Sequence, residues 1–390
     1  MLNVGLIGCG NVVSYGHKPA LTALDDVNLV AVADVTKERR LICKEWFTLP
    51  DEALYADYKD MLARDDIDAV CVAVPQGFRR EIVLDAFAAG KHVLSEKPIA
   101  TSPAVATEMI EAAHSAGLVF GMVHNYLFLP EFIAIKNLIQ SGAIGQPRVA
   151  TLHFLGVIDY PGAAEYKSGW RHGLEAGGGV LADMIHAVYL AEWLFDTPAT
   201  QVMAFVDALE YADEHPVIED LALVQIAFPN GYAAIHMGWG KGVGGVDISG
   251  SDGHLRMRYH QYQSSGFNRP EELYTVDANW ERHDHPIESL PAHAANIALS
   301  FAKLWTDFAD AIATERPTVA PAESGLRALE LVLGAYTSAV TGRVITLPLG
   351  KNTPVFSEGV QGLLHINPWP QSRTVAAKLF GIDEVRAHEH

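Results

Sequence analysis

A chain of 390 residues exceeds one ordinary domain and suits two, each long enough to bury a core of its own. Its 47 acidic against 28 basic residues leave a formal charge of −19, which repels phosphate backbones at long range and argues against a nucleic-acid partner. No run approaches the roughly 18 uncharged apolar residues of a membrane span, so no membrane partner is expected either.

The chain starts on a short apolar strand, Val4 to Ile7, with no signal-peptide pattern before it. A glycine turn follows (Gly8, Cys9, Gly10, Asn11), then a helix, then a second apolar strand, Leu29 to Ala33, that stops at Asp34. This is half of a dinucleotide site. Gly8 permits the tight turn, and Gly10 lacks the side chain that would hold a pyrophosphate away from the backbone and from the first helical amides, where Asn11 and Val12 stand. Val13 takes the third small position of the fingerprint and is expected to space helix and strand apart. Asp34 can accept hydrogen bonds from both hydroxyls of an adenosine ribose. A 2′-phosphate would meet its carboxylate, so NAD is favoured over NADP.

Beyond Asp34, a charged helical stretch (Thr36 to Phe47) leads to a short segment ending near Tyr58 and a small helix, Lys59 to Arg64. Asp68 to Val74 is a β-branched run fit for a strand buried on both faces; it stops at Pro75 and Gln76, and a helix, Arg79 to Ala89, ends on Gly90. Lys91 to Ser95 is the next strand, terminating in Glu96-Lys97-Pro98. A helix opened by Thr101 and Ser102 closes at Gly117, and Leu118 to Val123 adds a strand before His124, Asn125 and Tyr126. Strand and helix alternate throughout, which predicts a doubly wound parallel sheet over residues 1–125 with its ligand edge where the strands end. His124, Asn125 and Tyr126 stand at the domain junction, where polar groups can meet nicotinamide ribose or substrate.

From residue 126 to 350 the pattern changes to a second α/β domain with a large, open, mainly antiparallel sheet. A helix (Pro130 to Ser141) precedes strand-like segments at Arg148 to Val157, Gln201 to Ala208, Asp220 to Phe228, Tyr232 to Trp239, Val246 to Ser249 and His254 to Tyr259. Turn chemistry at Pro229-Asn230-Gly231 and Ser251-Asp252-Gly253 separates several of them. One helix, Gly179 to Phe195, is inserted early; two more, Asn296 to Thr314 and Pro321 to Thr341, come late. Residues 351–390 read as an extension packing on the body or a partner.

Cys9, Cys43 and Cys71 lie in apolar segments without paired or metal-ligand spacing, and read as reduced core thiols of a cytoplasmic protein. His283 and His285 flank Asp284, and His388 and His390 flank Glu389, all in polar segments. Neither group has the setting of a metal centre, and no metal is expected.

Together these residues resemble the Gfo/Idh/MocA oxidoreductase family. The resemblance runs from Val4 to about Leu347. It rests on Gly8-Cys9-Gly10, Ala33-Asp34, Ala89-Gly90-Lys91-His92-Val93 running into Glu96-Lys97-Pro98, Ser141 to Gly145, Trp170-Arg171, Gly177-Gly178-Gly179 with Asp183 and His186, and the helix around Ala328 to Thr341. It implies a Rossmann domain, a C-terminal domain whose open sheet makes a homodimer or homotetramer, and hydride transfer between a nicotinamide and a carbohydrate or polyol. It further implies that Lys97 is catalytic and reaches substrate hydroxyls, that Glu96 lies beside the nicotinamide, and that Asp183 and His186 project from a helix toward the substrate. The chain departs from the family in three places. Asp183 and His186 are three apart rather than four, Pro75, Gln76 and Arg79 replace a Pro-Asn and a downstream His, and Leu127 stands for an Arg.

Alcohol oxidation sends a hydride to the nicotinamide and the hydroxyl proton to a base. His186, with an ordinary pKa of about 6.5, suits the base, a role worth about 10² to 10⁴ in rate. Lys97 acts either as a base with a lowered pKa or as a cation polarising the oxygen. Asp183 either orients His186 or holds a sugar hydroxyl. Tyr126, Trp170 and Arg171 are expected against the substrate, and Arg171 with Lys167 can meet an anionic group. Two other readings compete: a lyase or glycosidase that retains NAD and oxidises its substrate transiently, and a non-catalytic NAD- or sugar-sensing regulator. The proton-transfer groups weigh against the second, since a sensor has no use for them.

Overall fold

The computed structural model describes residues 1–157, 177–209, 219–239, 242–259, 270–286 and 293–366. The chain forms two compact units: Met1–Ala100, Val105–Leu129 and Ala294–Leu326 make the first, and Thr101–Ala104, Pro130–His293 and Arg327–His390 the second.

In the first unit, β1 (Leu2–Ile7), β2 (Val27–Ala33), β3 (Leu54–Tyr55), β4 (Ala69–Val72), β5 (His92–Ser95) and β6 (Phe120–Met122) form a parallel sheet in the order β3-β2-β1-β4-β5-β6. Helices α1 (Lys18–Leu21), α2 (Lys37–Phe47), α3 (Tyr58–Leu62), α4 (Arg79–Ala88) and α5 (Pro103–Ala116) alternate with the strands. All four residues of β4 are buried, as a strand covered on both faces requires. Strand order reverses between β1 and β4, the point at which a doubly wound sheet opens a crevice. Register then sets the site. Ala33, Ile7, Val72, Ser95 and Met122 lie in one row across the sheet, so Asp34, Gly8 and Glu96 leave it at a common edge.

The helix expected after Gly10 differs in kind. Residues Val13–His17 form a π-helical turn that runs into α1. Val13 is fully buried in the third fingerprint position, and the wider turn accommodates it, as π-turns near functional sites commonly do.

The second unit carries α6 (Pro130–Gln140), β7 (Pro147–Val157), α7 (Val180–Asp183), α8 (Ile185–Phe195), β8 (Gln201–Asp207), β9 (Leu221–Phe228), β10 (Gly231–Trp239), β11 (Gly244–Gly250), β12 (His254–Tyr259), β13 (Pro270–Val276) and β14 (Arg282–Asp284). After α9 (His293–Thr314), which contributes to the first unit, come α10 (Ala322–Thr341), β15 (Ile345–Thr346) and α11 (Pro354–Glu358). The nine-stranded sheet runs β14-β13-β12-β11-β7-β10-β9-β8-β15, and among the described strands only β7 and β10 pair in parallel. Alternation gives it two unlike faces. Ala150, Leu152, Phe154, Val224, Ile226 and Ile235 are buried on one, while Val149, Phe205, Leu223 and Tyr232 are exposed on the other.

The helix expected from Gly179 to Phe195 is two helices. Met184 sits at φ −92°, ψ 34° between them, and Ala187 N bonds back only three residues, to Met184 O, so α8 starts a new turn. Asp183 and His186 therefore lie on either side of a break rather than on one continuous helix face. In the 351–390 segment, α11 and the 3₁₀ turn Gly359–His365 bury Val355 and Leu363. No described helix is long and apolar enough to cross a membrane.

Candidate active site

Gly8 leaves β1 at φ +93°, where a Cβ would stand 2.6 Å from the Ala73 carbonyl at the end of β4. Only glycine fits there. The loop is then tied to β2: Asp34 accepts from Cys9 N at 2.8 Å through one oxygen and from Thr36 N at 2.7 Å through the other. Each oxygen keeps a further lone pair for a ligand. Arg39 donates to the Cys9 carbonyl at 3.1 Å and Arg40 to the Asp34 carbonyl, so both guanidinium groups brace the backbone of this turn. Asn11 is exposed and Val12 half-buried at the mouth of the loop.

At the end of β5, Glu96 is buried and Lys97 half-buried. Arg79, fully buried, holds them from below. Its Nε donates to the Val74 carbonyl at 2.8 Å, one terminal nitrogen donates to the Glu96 and Pro98 carbonyls, and the other to the Lys97 carbonyl at 3.2 Å. Burial pushes this guanidinium down to about 10, against the pull of Glu96, and it stays charged at neutral pH. The residue that departs from the family pattern thus clasps the backbone of the Glu96-Lys97-Pro98 turn. Glu96 is gripped a second time: its carboxylate meets His17 Nε2 at 3.2 Å and the Lys97 amide at 3.2 Å. His17 is fully buried beside Cys71, Phe301 and Trp305.

Pro75 and Gln76 open a 3₁₀ turn just beyond β4. Asn125, nearly buried, donates to Ser300 Oγ at 3.4 Å, and His124 Nδ1 lies 3.3 Å from Ser324 Oγ. Tyr126 is half-buried in the same turn. In the second unit, Asp183 closes α7 and His186 opens α8, with His186 Nδ1 2.6 Å from the Tyr189 hydroxyl. The i, i+3 spacing within α8 brings that pair together. Trp170, Arg171 and Lys167 lie outside the described residues.

Residues 2–124 match the sequence model described as "Oxidoreductase family, NAD-binding Rossmann fold", and residues 136–347 match "Oxidoreductase family, C-terminal alpha/beta domain". The chain belongs to the Gfo/Idh/MocA oxidoreductase family. A dTDP-3,4-didehydro-2,6-dideoxy-alpha-D-glucose 3-reductase of Saccharopolyspora spinosa is 29% identical over 285 residues, spanning 72% of this chain and 77% of that one. A myo-inositol 2-dehydrogenase of Thermotoga maritima is 28% identical over 262 residues, spanning 65% and 74%. Levoglucosan dehydrogenase, solved in complex with NADH, has the same fold at a TM-score of 0.77, with 20% identity over 90% of this chain and 100% of that one.

A family with an NAD-binding domain implies a dinucleotide, and this member's residues fit one. A Cβ added to Gly10 would meet nothing within 4 Å, so open space faces the backbone where a pyrophosphate has to approach. Gln76 Oε1 is buried without a hydrogen-bond partner, an acceptor waiting for a donor at the ligand edge. Elsewhere, Asp277, Glu281 and His283 cluster on the β13–β14 hairpin, with His283 3.1 Å from Asp277. That cluster is largely exposed, and Asp277 is already occupied by the Asn279 and Glu281 amides. His285 instead pairs with Thr275 Oγ1 at 2.8 Å, and Asp284 with Arg282.

Sequence reasoning missed His17, Arg39, Trp305 and Tyr189, and noted Arg79 only as a departure. Their partners lie across the chain, except for Tyr189, whose spacing from His186 was the one legible signal.

Proposed function

We propose that this chain is an NAD-dependent oxidoreductase moving a hydride between the nicotinamide and a secondary alcohol of a sugar, polyol or sugar derivative. The reading rests above all on the Glu96-Lys97 turn, held at the ligand edge of the sheet by a buried guanidinium that donates to four backbone carbonyls. A fixed lysine beside a nucleotide loop suits a reacting oxygen better than a solvated ion pair does. The names of the relatives agree in kind, since each concerns a sugar or cyclitol carbon passing between alcohol and ketone.

When bound, the nicotinamide supplies the hydride acceptor or donor. Gly8, Gly10, Asn11 and Val12 present backbone to the pyrophosphate. Asp34 takes the ribose hydroxyls, which favours NAD over NADP because a 2′-phosphate would be placed against an anchored carboxylate. Pro75, Gln76, Glu96 and Asn125 shape the nicotinamide end. Lys97 polarises the substrate oxygen, and His186 moves the hydroxyl proton. Asp183, Tyr126, Trp170 and Arg171 set the substrate's orientation. We further place a homodimer or homotetramer contact on the open sheet face, where exposed Phe205 and Tyr232 lie on the same face as the Asp247, Arg256 and Arg258 ion pairs.

The test is absorbance at 340 nm with NAD or NADP and a panel of polyols, aldoses and sugar acids, alongside Lys97→Ala. NADH formation with one substrate group, lost in the variant, is the expected result. Tight NAD binding with no net NADH on any substrate would overturn the dehydrogenase in favour of a cofactor-retaining lyase or a sensor.

A further inference from the structure

The glycine run Gly177-Gly178-Gly179 has no direct part in hydride or proton transfer, yet its geometry is strictly constrained. Gly177 and Gly178 sit at φ +99° and +133°, in the region that favours glycine. A Cβ on Gly178 would stand 2.1 Å from the Tyr336 hydroxyl oxygen. One on Gly179 would stand 2.2 Å from the Glu219 carbonyl and 2.6 Å from its carboxylate. The missing side chains make room for a carboxylate and a phenol.

Glu219, fully buried just before β9, serves the start of α7 together with the Tyr336 hydroxyl, which also meets the Gly179 and Ala182 backbone. One carboxylate oxygen accepts from Gly179 N at 2.9 Å, and the other from Leu181 N at 2.9 Å and from the Tyr336 hydroxyl at 2.7 Å. Its own carbonyl accepts from Val180 N at 3.1 Å. Three successive amides that a helix start leaves without partners are therefore satisfied by one residue 38 to 40 positions away. A helix start is ordinarily capped by a neighbouring Ser, Thr, Asp or Asn at no cost in buried charge. Here burial pushes the carboxyl up to about 7 while Tyr336 and the amides pull it down. What the arrangement gains is a fixed α7, and α7 ends at Asp183, followed by the Met184 break and His186.

We propose that Glu219, assisted by Tyr336, is the positioning residue for Asp183 and His186, clamping the Gly177–Asp183 turn so that both side chains are delivered in one arrangement. This rests on the assignment of Asp183 and His186 to the substrate step. A carboxylate is required because all three neighbours donate. Glu219→Gln keeps the volume but turns an amide N–H toward one of those donors. Tyr336→Phe removes one donor and leaves the carboxylate with both amides.

The experiment compares Glu219→Gln, Glu219→Asp, Tyr336→Phe and His186→Gln by kcat and KM, by NAD affinity, by thermal unfolding, and by NMR titration of the His186 ring, which needs no turnover. The expected result is a kcat at least tenfold lower in Glu219→Gln with NAD affinity within twofold of the parent. The His186 titration should also move by at least half a pH unit, with smaller changes of the same kind in Tyr336→Phe. Glu219→Asp, which keeps the charge but reaches only part of the turn, should fall between. A folded Glu219→Gln with parental kcat and parental His186 titration overturns the inference, as does a loss of activity that merely follows loss of folded protein while the titration stays fixed. Should Glu219→Gln not fold, Tyr336→Phe decides by the same two readouts. Parental kcat in His186→Gln would refute the role assigned to His186, and the titration would still report whether Glu219 positions it.

Discussion

Trp305 donates its indole N–H to His17 Nδ1 across 3.1 Å, and this one bond decides which nitrogen of the buried imidazole carries a proton. Cys71 and Glu96 outweigh burial and pull the ring's proton affinity up. An indole nitrogen can only donate, however, so a proton on Nδ1 would face another N–H. The proton sits on Nε2 and points at Glu96, 3.2 Å away. Glu96 in turn accepts from the Lys97 amide, so a residue of α9 reaches the ligand edge through two side chains.

Trp305→Phe tests that chain. It keeps an aromatic ring against Phe308, now 6.0 Å away, and removes only the donor and part of the indole's bulk. Loss of the bond should cost about 1 kcal/mol, with more from the space left behind. In ¹⁵N spectra at neutral pH the parent His17 should show the Nε2–H tautomer and the variant a ring protonated at Nδ1 as well, because Glu96 still accepts from Nε2 and favours the second proton. A doubly protonated parent ring would refute the assignment.

Arg79 yields a sharper outcome. Four carbonyls depend on its guanidinium, and no other side chain presents five donors in a plane. Arg79→Lys keeps the charge but supplies donors at a single point, so several buried carbonyls lose their partner. We expect a stability loss of about 3 kcal/mol and a kcat reduced at least tenfold, with NAD affinity less affected. Equal kcat in a folded Arg79→Lys would show that the clasp is dispensable to Lys97.

What the sequence made legible follows local periodicity. The inner parallel strands of the first unit, β1, β4 and β5, are buried almost throughout, so they stand out as apolar runs ending at glycine, proline or an acid, and Glu96-Lys97 could be placed at a strand tip. The strands β13 and β14 were not legible, because Glu271, Glu272 and Arg282 to Asp284 give them the charged character of an exposed edge. Nor was the break at Met184, which depends on how α7 is held rather than on any residue that breaks helices. The partners that matter most are distant: His17 and Trp305 are 288 residues apart, Glu219 and Tyr336 117. A glycine run announces that something approaches closely, and only the fold says what.

The proposed function makes cofactor choice turn on Asp34. Its carboxylate is anchored by the Cys9 and Thr36 amides, and Arg39 and Arg40 are both committed to backbone carbonyls. Asp34→Ser removes the charge and leaves two arginines close to the space a 2′-phosphate would need. The ratio of kcat/KM for NAD over NADP should fall by at least about tenfold, which is roughly 1.4 kcal/mol of discrimination. A parent enzyme that already prefers NADP would reverse the reading of this residue.

Glu330 provides a stability switch with a definite sign. It is 6% exposed, and burial, with Glu192 adding repulsion, pushes its carboxyl up to about 7 against the Leu349 amide and Arg327. An ordinary glutamate titrates near about 4.3, so between there and about 7 the folded chain holds a proton at Glu330 that the unfolded chain has released. Its contribution is therefore complete below the unfolded pKa and is lost as pH rises through about 7. Glu330→Gln imitates the neutral side chain at every pH and can still accept from the Leu349 amide. Its stability relative to the parent should rise steadily from pH 4.5 to 7 and then level off, by on the order of 3 kcal/mol in all. Denaturant melts of both proteins at half-unit pH intervals measure this, and a difference that stays flat across that window would mean that Glu330 is ionised in the folded chain.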